Sequence, residues 1–146
     1  MGNWDDATAH YGPSAHLSWD ELACKDRLRT PYPLDWRLDR AMALADLFER
    51  IRTGCGNVPI VVLSAYRTPA YNAKVGGAPK SQHLQGRALD LYPPVGFTPE
   101  TFHQRIRDLD LPVLRGLGLY KWGVHVDIRP TAALVTWDLR GPNPAA

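Results

Sequence analysis

Residues 81–90 read SQHLQGRALD, and this stretch decides the fold that the rest of the sequence has to complete. Gly86 lets the backbone turn sharply, because glycine adopts a positive φ at little cost. Residues 87–92 then alternate as a β-strand does, with Asp90 on the face opposite the two leucines. The pattern predicts that Asp90 projects from a sheet toward the loop that carries His83.

A second strand-like run, residues 124–128, carries the tripeptide HVD. His125 and Asp127 lie two residues apart and therefore share one face of that strand. An aspartate inside an apolar strand is costly unless it is paired, hydrogen-bonded or bound to a cation, and here two such aspartates accompany two histidines. A zinc ion that does chemistry usually takes three protein ligands of these types. We therefore predict a site for one Zn²⁺ per chain, with His83, Asp90 and His125 as its ligands.

The first stretch also resembles a known family signature. Residues 81–90 match the SxHxxGxAxD pattern of the M15 peptidases, the zinc peptidases of the D-alanyl-D-alanine carboxypeptidase and L-alanyl-D-glutamate endopeptidase group, whose metal-binding fold is shared with the hedgehog signalling domain. Three more segments are similar to the family pattern and occur in the same order: residues 17–26 (LSWDELACKD), 63–83 (LSAYRTPAYNAKVGGAPKSQH) and 116–130 (GLGLYKWGVHVDIRP). The resemblance covers most of the chain, and four ordered segments are far more specific than any one of them.

The resemblance implies roles for individual residues. Taken residue by residue, it makes His83, Asp90 and His125 the metal ligands. It makes Arg67 the cation that holds a substrate carbonyl or carboxylate and stabilises the oxyanion. The implied reaction is hydrolysis of the peptide stem of peptidoglycan, at a D-alanyl bond or at the L-alanyl-D-glutamate bond. Such an enzyme would be a phage endolysin or a wall-remodelling peptidase.

One position departs from the family pattern. Many members carry Glu or Asp as general base three residues before the third ligand, and here that position is Trp122. No acidic residue occurs between Leu111 and Val126, so we predict Asp127 as the general base. Two alternatives stay open: Asp127 binds the ion while His125 supports it, or Asp127 only orients His125.

Substrate binding is assigned to polar and aromatic residues of the same segments. They are Arg67, Ser81, Tyr120 and Trp122, with Tyr66 and Tyr92 as further aromatic candidates for a groove. A rival hypothesis is a non-enzymatic, zinc-stabilised binding or structural module, such as a phage particle component. Trp122 favours the rival because an acid is missing there, and Arg67 favours the enzyme.

The order of helical and strand patterns predicts an α+β fold. We expect a small, mainly antiparallel sheet with helices on one side and the ion on its open face, similar to the hedgehog and D-alanyl-D-alanine peptidase fold. The predicted elements are helices over 33–53, 68–76 and from 98, strands over 58–63, 87–92 and 133–137, and a hairpin of 116–120 with 124–128. The periodicity of the first helix places Leu38 on its apolar face, and the β-branched content of 58–63 predicts a buried strand. One zinc peptidase domain, residues 14–139, is expected between a flexible lead, 1–13, and a flexible tail, 140–146.

Composition argues against several classes of protein. The chain has 146 residues, enough for one core, and a net charge of +2, too small to indicate a nucleic-acid surface. Neither a transmembrane stretch nor a signal-peptide pattern is found, so we expect no membrane insertion and synthesis in the cytoplasm. We expect a monomer whose partner is the peptidoglycan stem peptide, in the periplasm or outside the cell, with delivery by a phage as one route. Cys24 and Cys55 lack CxxC spacing and are expected to be reduced and buried, although outside the membrane they would be able to pair.

Overall fold

The computed structural model describes residues 11–141, so residues 1–10 of the expected lead and residues 142–146 of the expected tail lie outside the described part. The helices are α1 (Trp19–Leu22), α2 (Arg40–Gly54), α3 (Pro69–Lys74) and α4 (Pro99–Asp108), and the strands are β1 (Val62–Ser64), β2 (Ala88–Leu91), β3 (Gly116–Tyr120), β4 (Gly123–Asp127) and β5 (Val135–Asp138). Two 3₁₀ turns, Leu34–Trp36 and Gln82–Gln85, accompany them. The fold class is α+β, as predicted. No helix within residues 11–141 combines the length and the apolar character needed to cross a membrane.

The five strands form one sheet in the order β1-β2-β4-β3-β5. Three of its four pairings are antiparallel, and the pairing of β3 with β5 is parallel. The hairpin of β3 and β4 turns at Lys121 and Trp122, as the sequence predicts. The register places Asp90 of β2 directly opposite His125 of β4. The expectation of a mainly antiparallel sheet is therefore confirmed, and neighbouring strands carry two of the predicted ligands.

The two faces of the sheet differ in chemistry, because side chains alternate along each strand. On one face the strands pack against α2 and α4 in a continuous core, which contains Leu89, Leu91, Leu117, Val124 and Val126 from the sheet and Leu44, Phe48, Ile51, Phe102 and Ile106 from the helices. On the opposite face one row crosses all five strands, formed by Ser64, Asp90, His125, Gly118 and Trp137. The apolar face anchors the sheet and leaves this row free to form a site.

The long helix α2 begins later than the sequence indicates. The prediction over residues 33–53 is wrong at its start, because Leu34–Trp36 form a 3₁₀ turn and the α-helix begins at Arg40. The side chain of Asp39 accepts a hydrogen bond from the Arg40 N–H and so starts a new helix at this point. Leu38, which the periodicity placed on the apolar face, is consequently 93% exposed.

Strand β1 is shorter than predicted and only partly buried. The sequence predicts a buried strand over residues 58–63, but the observed strand is Val62–Ser64. Val61 and Leu63 are exposed because β1 is an edge strand that pairs with β2 alone. A run of β-branched residues does not distinguish an edge strand from a central one. The other predicted elements lie within two residues of the observed bounds.

Aromatic side chains hold the turn Gln82–Gln85 that carries His83. The hydroxyl of Tyr32 donates a hydrogen bond to the carbonyl oxygen of Gly86, at 2.6 Å, directly after this turn. Gly86 has a φ of 64°, in the left-handed region that favours glycine. A Cβ at this position would also lie 2.7 Å from the ring of Trp36 and 2.8 Å from the Tyr32 hydroxyl. Both the conformation and the close contact therefore require glycine.

We predict that Gly86→Ala destabilises the protein more than a glycine replacement that meets only backbone strain. Gly56→Ala is the matched control, since its φ is also positive, 93°, but its Cβ would meet no atom within 4 Å. The control should lower the free energy of unfolding by about 1–2 kcal/mol, and Gly86→Ala by about 2–4 kcal/mol, because overpacking adds to the strain. Urea unfolding of the two variants measures the difference. Equal losses would show that Tyr32 and Trp36 move aside without cost.

Candidate metal centre

Three polar side chains meet at the centre of the row on the open face of the sheet. His83 comes from the turn Gln82–Gln85, Asp90 from β2 and His125 from β4, and each is at most 7% exposed. His83 Nε2 and His125 Nδ1 lie 3.0 and 2.9 Å from the same oxygen atom, Asp90 Oδ1. One possible ligand atom from each side chain falls within 4.8 Å of the other two. The structure therefore brings together the three residues predicted as ligands.

The imidazole of His83 presents an unprotonated nitrogen to this point. Its Nδ1 lies 2.6 Å from the carbonyl oxygen of Ala65, which can only accept, so we assign the ring hydrogen to Nδ1. Burial lowers the pKa of His83, against the attraction of Asp90, and keeps the ring neutral. Nε2 then carries a lone pair. It is buried, and no hydrogen-bond partner for it is found within residues 11–141, although Asp90 Oδ1 lies 3.0 Å away.

The imidazole of His125 is held from its other edge by Asp127. The distance from His125 Nε2 to Asp127 Oδ2 is 2.8 Å. Burial opposes ionisation of Asp127, but hydrogen bonds from His125 and Arg129 lower its pKa to about 2, so the carboxylate accepts the Nε2 hydrogen. In the neutral ring the lone pair is then on Nδ1, the nitrogen that faces Asp90. A carboxylate in this position fixes the tautomer of a metal-binding histidine and raises its basicity.

The three groups fit a metal ion better than they fit one another. Burial would raise the pKa of Asp90, but its contacts with the two imidazoles hold it below its usual range, so the carboxylate is ionised. Burial opposes charge on His125, but its hydrogen bonds with Asp127 and Asp90 raise its pKa, so a proton on His125 Nδ1 competes with a metal ion for this point. Two nitrogen lone pairs and an ionised oxygen that converge on one point repel unless a cation lies between them. Catalytic zinc sites commonly use two imidazoles and a carboxylate as ligands. Bonds of about 2.0–2.1 Å to a tetrahedral ion separate the ligand atoms by about 3.3 Å, close to the 3.0 and 2.9 Å between the histidine nitrogens and Asp90 Oδ1. His83, Asp90 and His125 are therefore the residues that would hold the ion.

Hydrogen bonds from all three of its nitrogens fix Arg67 beside this site. Its Nη2 donates to Asp90 Oδ2 at 3.2 Å, so Asp90 divides its two oxygens between the arginine and the histidines. Its Nε donates to Ser64 Oγ at 3.1 Å, and its Nη1 donates to Asn72 Oδ1 at 3.2 Å. Asn72 is itself buried and donates to the carbonyl oxygen of Ala78. The guanidinium is thus kept next to a ligand.

A cavity of about 700 Å³ is open to the three ligands. Its wall includes every residue assigned to substrate binding: Arg67, Ser81, Tyr120 and Trp122. The two further aromatic candidates lie elsewhere. Tyr66 packs against the aromatic side chains beside the turn of His83, and Tyr92 is exposed outside the cavity.

The carboxylate of Asp127 does not reach this cavity. Its side chain is fully buried, and Arg129 Nε and Nη2 donate to its two oxygens at 2.9 and 2.7 Å. It lies against β3, where a Cβ on Gly116 would come within 2.2 Å of it. Among residues 11–141, Asp90 is the one carboxylate that lines the cavity. This position favours the alternative in which Asp127 orients His125. It does not favour Asp127 as the general base, because a general base must face the substrate in the cavity.

Three contributors to the site were missed in the sequence. Arg129 holds Asp127 and lies 5.0 Å from the centroid of the Trp137 ring. The Trp137 ring in turn lies 5.3 Å from the ring of His125, and Asn72 supports the arginine beside the ligands. The sequence of β3 could have indicated these contacts, because Gly116 and Gly118 both lie on the face of the site and leave room for Asp127 and for Trp137.

The comparison with protein families gives one clear result. The family model described as Peptidase M15 matches residues 15–127, a range that contains the three converging side chains and Arg67. The chain belongs to the M15 peptidase family. The comparison with curated proteins found no match. Family membership implies a metallopeptidase, and the buried His–Asp–His group is the place in this M15 peptidase where a metal ion could bind.

We predict that the M15 peptidase as purified carries close to one zinc per chain. His83→Ala should abolish zinc binding, because it removes one of three ligands. His103→Ala should retain the metal, because it removes a histidine of α4 that does not line the cavity. Elemental analysis after dialysis measures zinc per chain. Equal zinc in the wild type and in His83→Ala would contradict the ligand assignment.

A second prediction concerns the role of Asp127. Asp127→Asn should lower zinc affinity by about 10- to 100-fold, because the neutral amide holds His125 and pairs with Arg129 less well. Asp138→Asn is the matched control, since Asp138 binds Arg140 through the same Nε and Nη2 contacts but is exposed. Titration against a chelating dye gives both affinities. Unchanged affinity together with a lost reaction rate would make Asp127 the general base instead.

Proposed function

We propose that this M15 peptidase is a zinc-dependent enzyme that hydrolyses the peptide stem of peptidoglycan, at a D-alanyl bond or at the L-alanyl-D-glutamate bond. The observation that supports this is the presence of three ligands and Arg67 on the wall of one cavity. Structural zinc sites are normally closed by four protein ligands, whereas here three converge beside open space. Its place of action would be the cell wall, as a phage endolysin or a wall-remodelling enzyme.

The residues around the cavity have separate tasks in this reaction. When bound, the ion supplies Lewis-acid chemistry, by lowering the pKa of a water molecule and polarising the scissile carbonyl. Ala65 and Asp127 keep the two imidazoles in the tautomers that can ligate. Arg67 lines the cavity, where its guanidinium can donate to a substrate carbonyl or carboxylate. It would thereby offset the negative charge that develops on the substrate oxygen.

The cavity wall matches an acidic peptide. Besides Arg67, two further cations line it, Lys80 and Arg129. The aromatic residues on the wall are Tyr120, Trp122 and Trp137. The one carboxylate on the described wall, Asp90, is paired with Arg67, and Arg129 is paired with the buried Asp127, so the wall carries more positive than negative groups. Peptidoglycan stem peptides carry free carboxylates, so their charge is complementary to this surface, and complementarity of this kind favours encounter and correct orientation.

A second, smaller cavity supports cleavage inside a peptide rather than at its end. Its volume is about 220 Å³, and it shares Arg67, Asp90 and Trp122 with the larger one. The smaller cavity extends over β1 at Leu63, whereas the larger one extends over β5 at Trp137. Space on both sides of the ligands accommodates peptide on both sides of the scissile bond, which favours an endopeptidase.

One observation favours a second candidate function, a non-enzymatic zinc-stabilised binding module. Within residues 11–141 the cavity wall offers no carboxylate other than Asp90, and Trp122 occupies the position where the family resemblance leads us to expect an acid. A module of this kind would bind the stem peptide with its cations and aromatic rings without cleaving it. Turnover measurements separate the two candidates.

We predict that zinc-loaded protein releases new amino groups from purified peptidoglycan without new reducing sugar ends, because the described part of the cavity wall has no pair of free carboxylates of the kind a glycosidase uses. Arg67→Ala, assayed at saturating zinc, should be slower by roughly 10²- to 10³-fold, the range for loss of one oxyanion donor. Arg50→Ala is the control, since it removes an exposed arginine of α2 that pairs with Asp46. Mass spectrometry of defined muropeptides identifies the bond. Reducing ends alone would contradict a peptidase, and zinc-loaded protein that releases nothing would support the binding module.

A further inference from the structure

Strand β3 leaves space over the row beside His125. Gly118 of this strand lies opposite His125 on one side and opposite Trp137 on the other. A Cβ on Gly118 would come within 2.4 Å of Trp137 Nε1, so the indole nitrogen lies directly over the strand next to His125. The centroids of the Trp137 and His125 rings are 5.3 Å apart, so the indole lies beside this ligand.

The hydroxyl group of Tyr120 is brought to the same place. Trp137 Nε1 is 2.8 Å from Tyr120 Oη, and because an indole N–H can only donate, the tyrosine oxygen is the acceptor. The hydrogen of the hydroxyl is then left over, and no acceptor for it is found within residues 11–141. Tyr120 lines the large cavity. Its O–H is therefore a donor that is available to a molecule in the cavity.

Trp122 fixes the ring of Tyr120 from another direction. The two rings stack with centroids 4.7 Å apart and planes 17° from parallel. The side chain that replaces the acid expected from the family pattern thus packs on a tyrosine of the cavity wall. Burial raises the pKa of Tyr120, so the hydroxyl keeps its hydrogen at neutral pH and remains a donor.

We propose that Tyr120 is a catalytic residue, which donates a hydrogen bond from its hydroxyl to the carbonyl oxygen of the scissile peptide bond as that oxygen gains negative charge. The inference rests on the peptidase function proposed above. The guanidinium of Arg67 donates hydrogen bonds to Ser64 and Asp90 of the row. The Tyr120 hydroxyl lies at Gly118, on the other side of His125. Arg67 and Tyr120 line the same cavity as the three ligands, and fixed donors beside a reacting carbonyl stabilise the charge that develops on its oxygen. No bond to the tyrosine forms or breaks, and its proton stays on the phenol.

The direct test is Tyr120→Phe, which removes the hydroxyl and keeps the ring that stacks on Trp122. On a defined stem peptide, kcat should fall by roughly 10²-fold or more, the range for loss of an oxyanion donor, with KM changed by less than about twofold. Zinc per chain should stay at the wild-type value. Tyr11→Phe is the control and should keep the wild-type rate, because Tyr11 is an exposed tyrosine outside both cavity walls.

Trp137→Phe tests whether the tryptophan acts through the tyrosine as a positioning residue. It removes the indole N–H and should lower kcat by about tenfold, since the hydroxyl loses its anchor. Combined with Tyr120→Phe, it should cause little further loss, because two residues that act through one hydrogen bond are not additive. Losses that multiply in the double variant would assign Trp137 a structural role alone.

A binding measurement separates failure of this inference from failure of the proposed function. The probe is a phosphinate analogue of the cleaved dipeptide, whose tetrahedral anionic centre resembles the transition state. Calorimetry on zinc-loaded protein should show that Tyr120→Phe weakens phosphinate binding by a factor similar to the loss in kcat, with unchanged binding of the cleavage products. Wild-type kcat and phosphinate affinity in Tyr120→Phe would overturn the role of Tyr120 and leave the peptidase intact. Wild-type protein that neither cleaves stem peptides nor binds the phosphinate would overturn both.

Discussion

The buried carboxylate of Asp90 is the constraint on which the rest of the structure depends. It is 6% exposed, and its two oxygens are divided between Arg67 and the imidazoles of His83 and His125. A buried charge persists only where its surroundings satisfy it, so each neighbour must itself be held in place. A backbone carbonyl, a second carboxylate and a buried amide from three other parts of the chain do this. The result is a set of donors that is arranged before any ligand arrives.

The opposite face of the sheet keeps this arrangement fixed. Because the same strands that carry Asp90 and His125 bury their alternate leucines and valines against α2 and α4, neither ligand can shift without disturbing the core. Groups positioned by rigid strands hold a productive geometry better than groups on loops. The glycines of β3 then leave room on the open face for the indole of Trp137 and the ring of Tyr120. One face thus supplies stability, and the other supplies chemistry.

Much of the fold could be predicted from periodicity, but two elements could not. The hairpin of β3 and β4 and the helix α4 were found because their apolar patterns begin and end at clear turn or cap residues. The prediction for helix α2 begins too early, at residue 33, because the apolar pattern continues before Arg40 although Asp39 caps a new helix there. Strand β1 was placed in the interior because β-branched residues do not reveal whether a strand has one neighbour or two.

The sequence by itself determined the family, because several segments match it in order. It also determined the three side chains that converge, His83, Asp90 and His125, because buried polar residues need a common partner. Alternation along a strand assigns a side chain to a face, but it leaves rotamers and strand register open. Only the tertiary structure decided which nitrogen of each histidine faces Asp90 and that Asp127, itself outside the cavity, holds the far edge of the His125 ring. It also decided which aromatic side chains line the cavity. Three of the contacts that settle these points join residues 35, 18 and 17 positions apart in the chain, so they form only once the strands have paired in register.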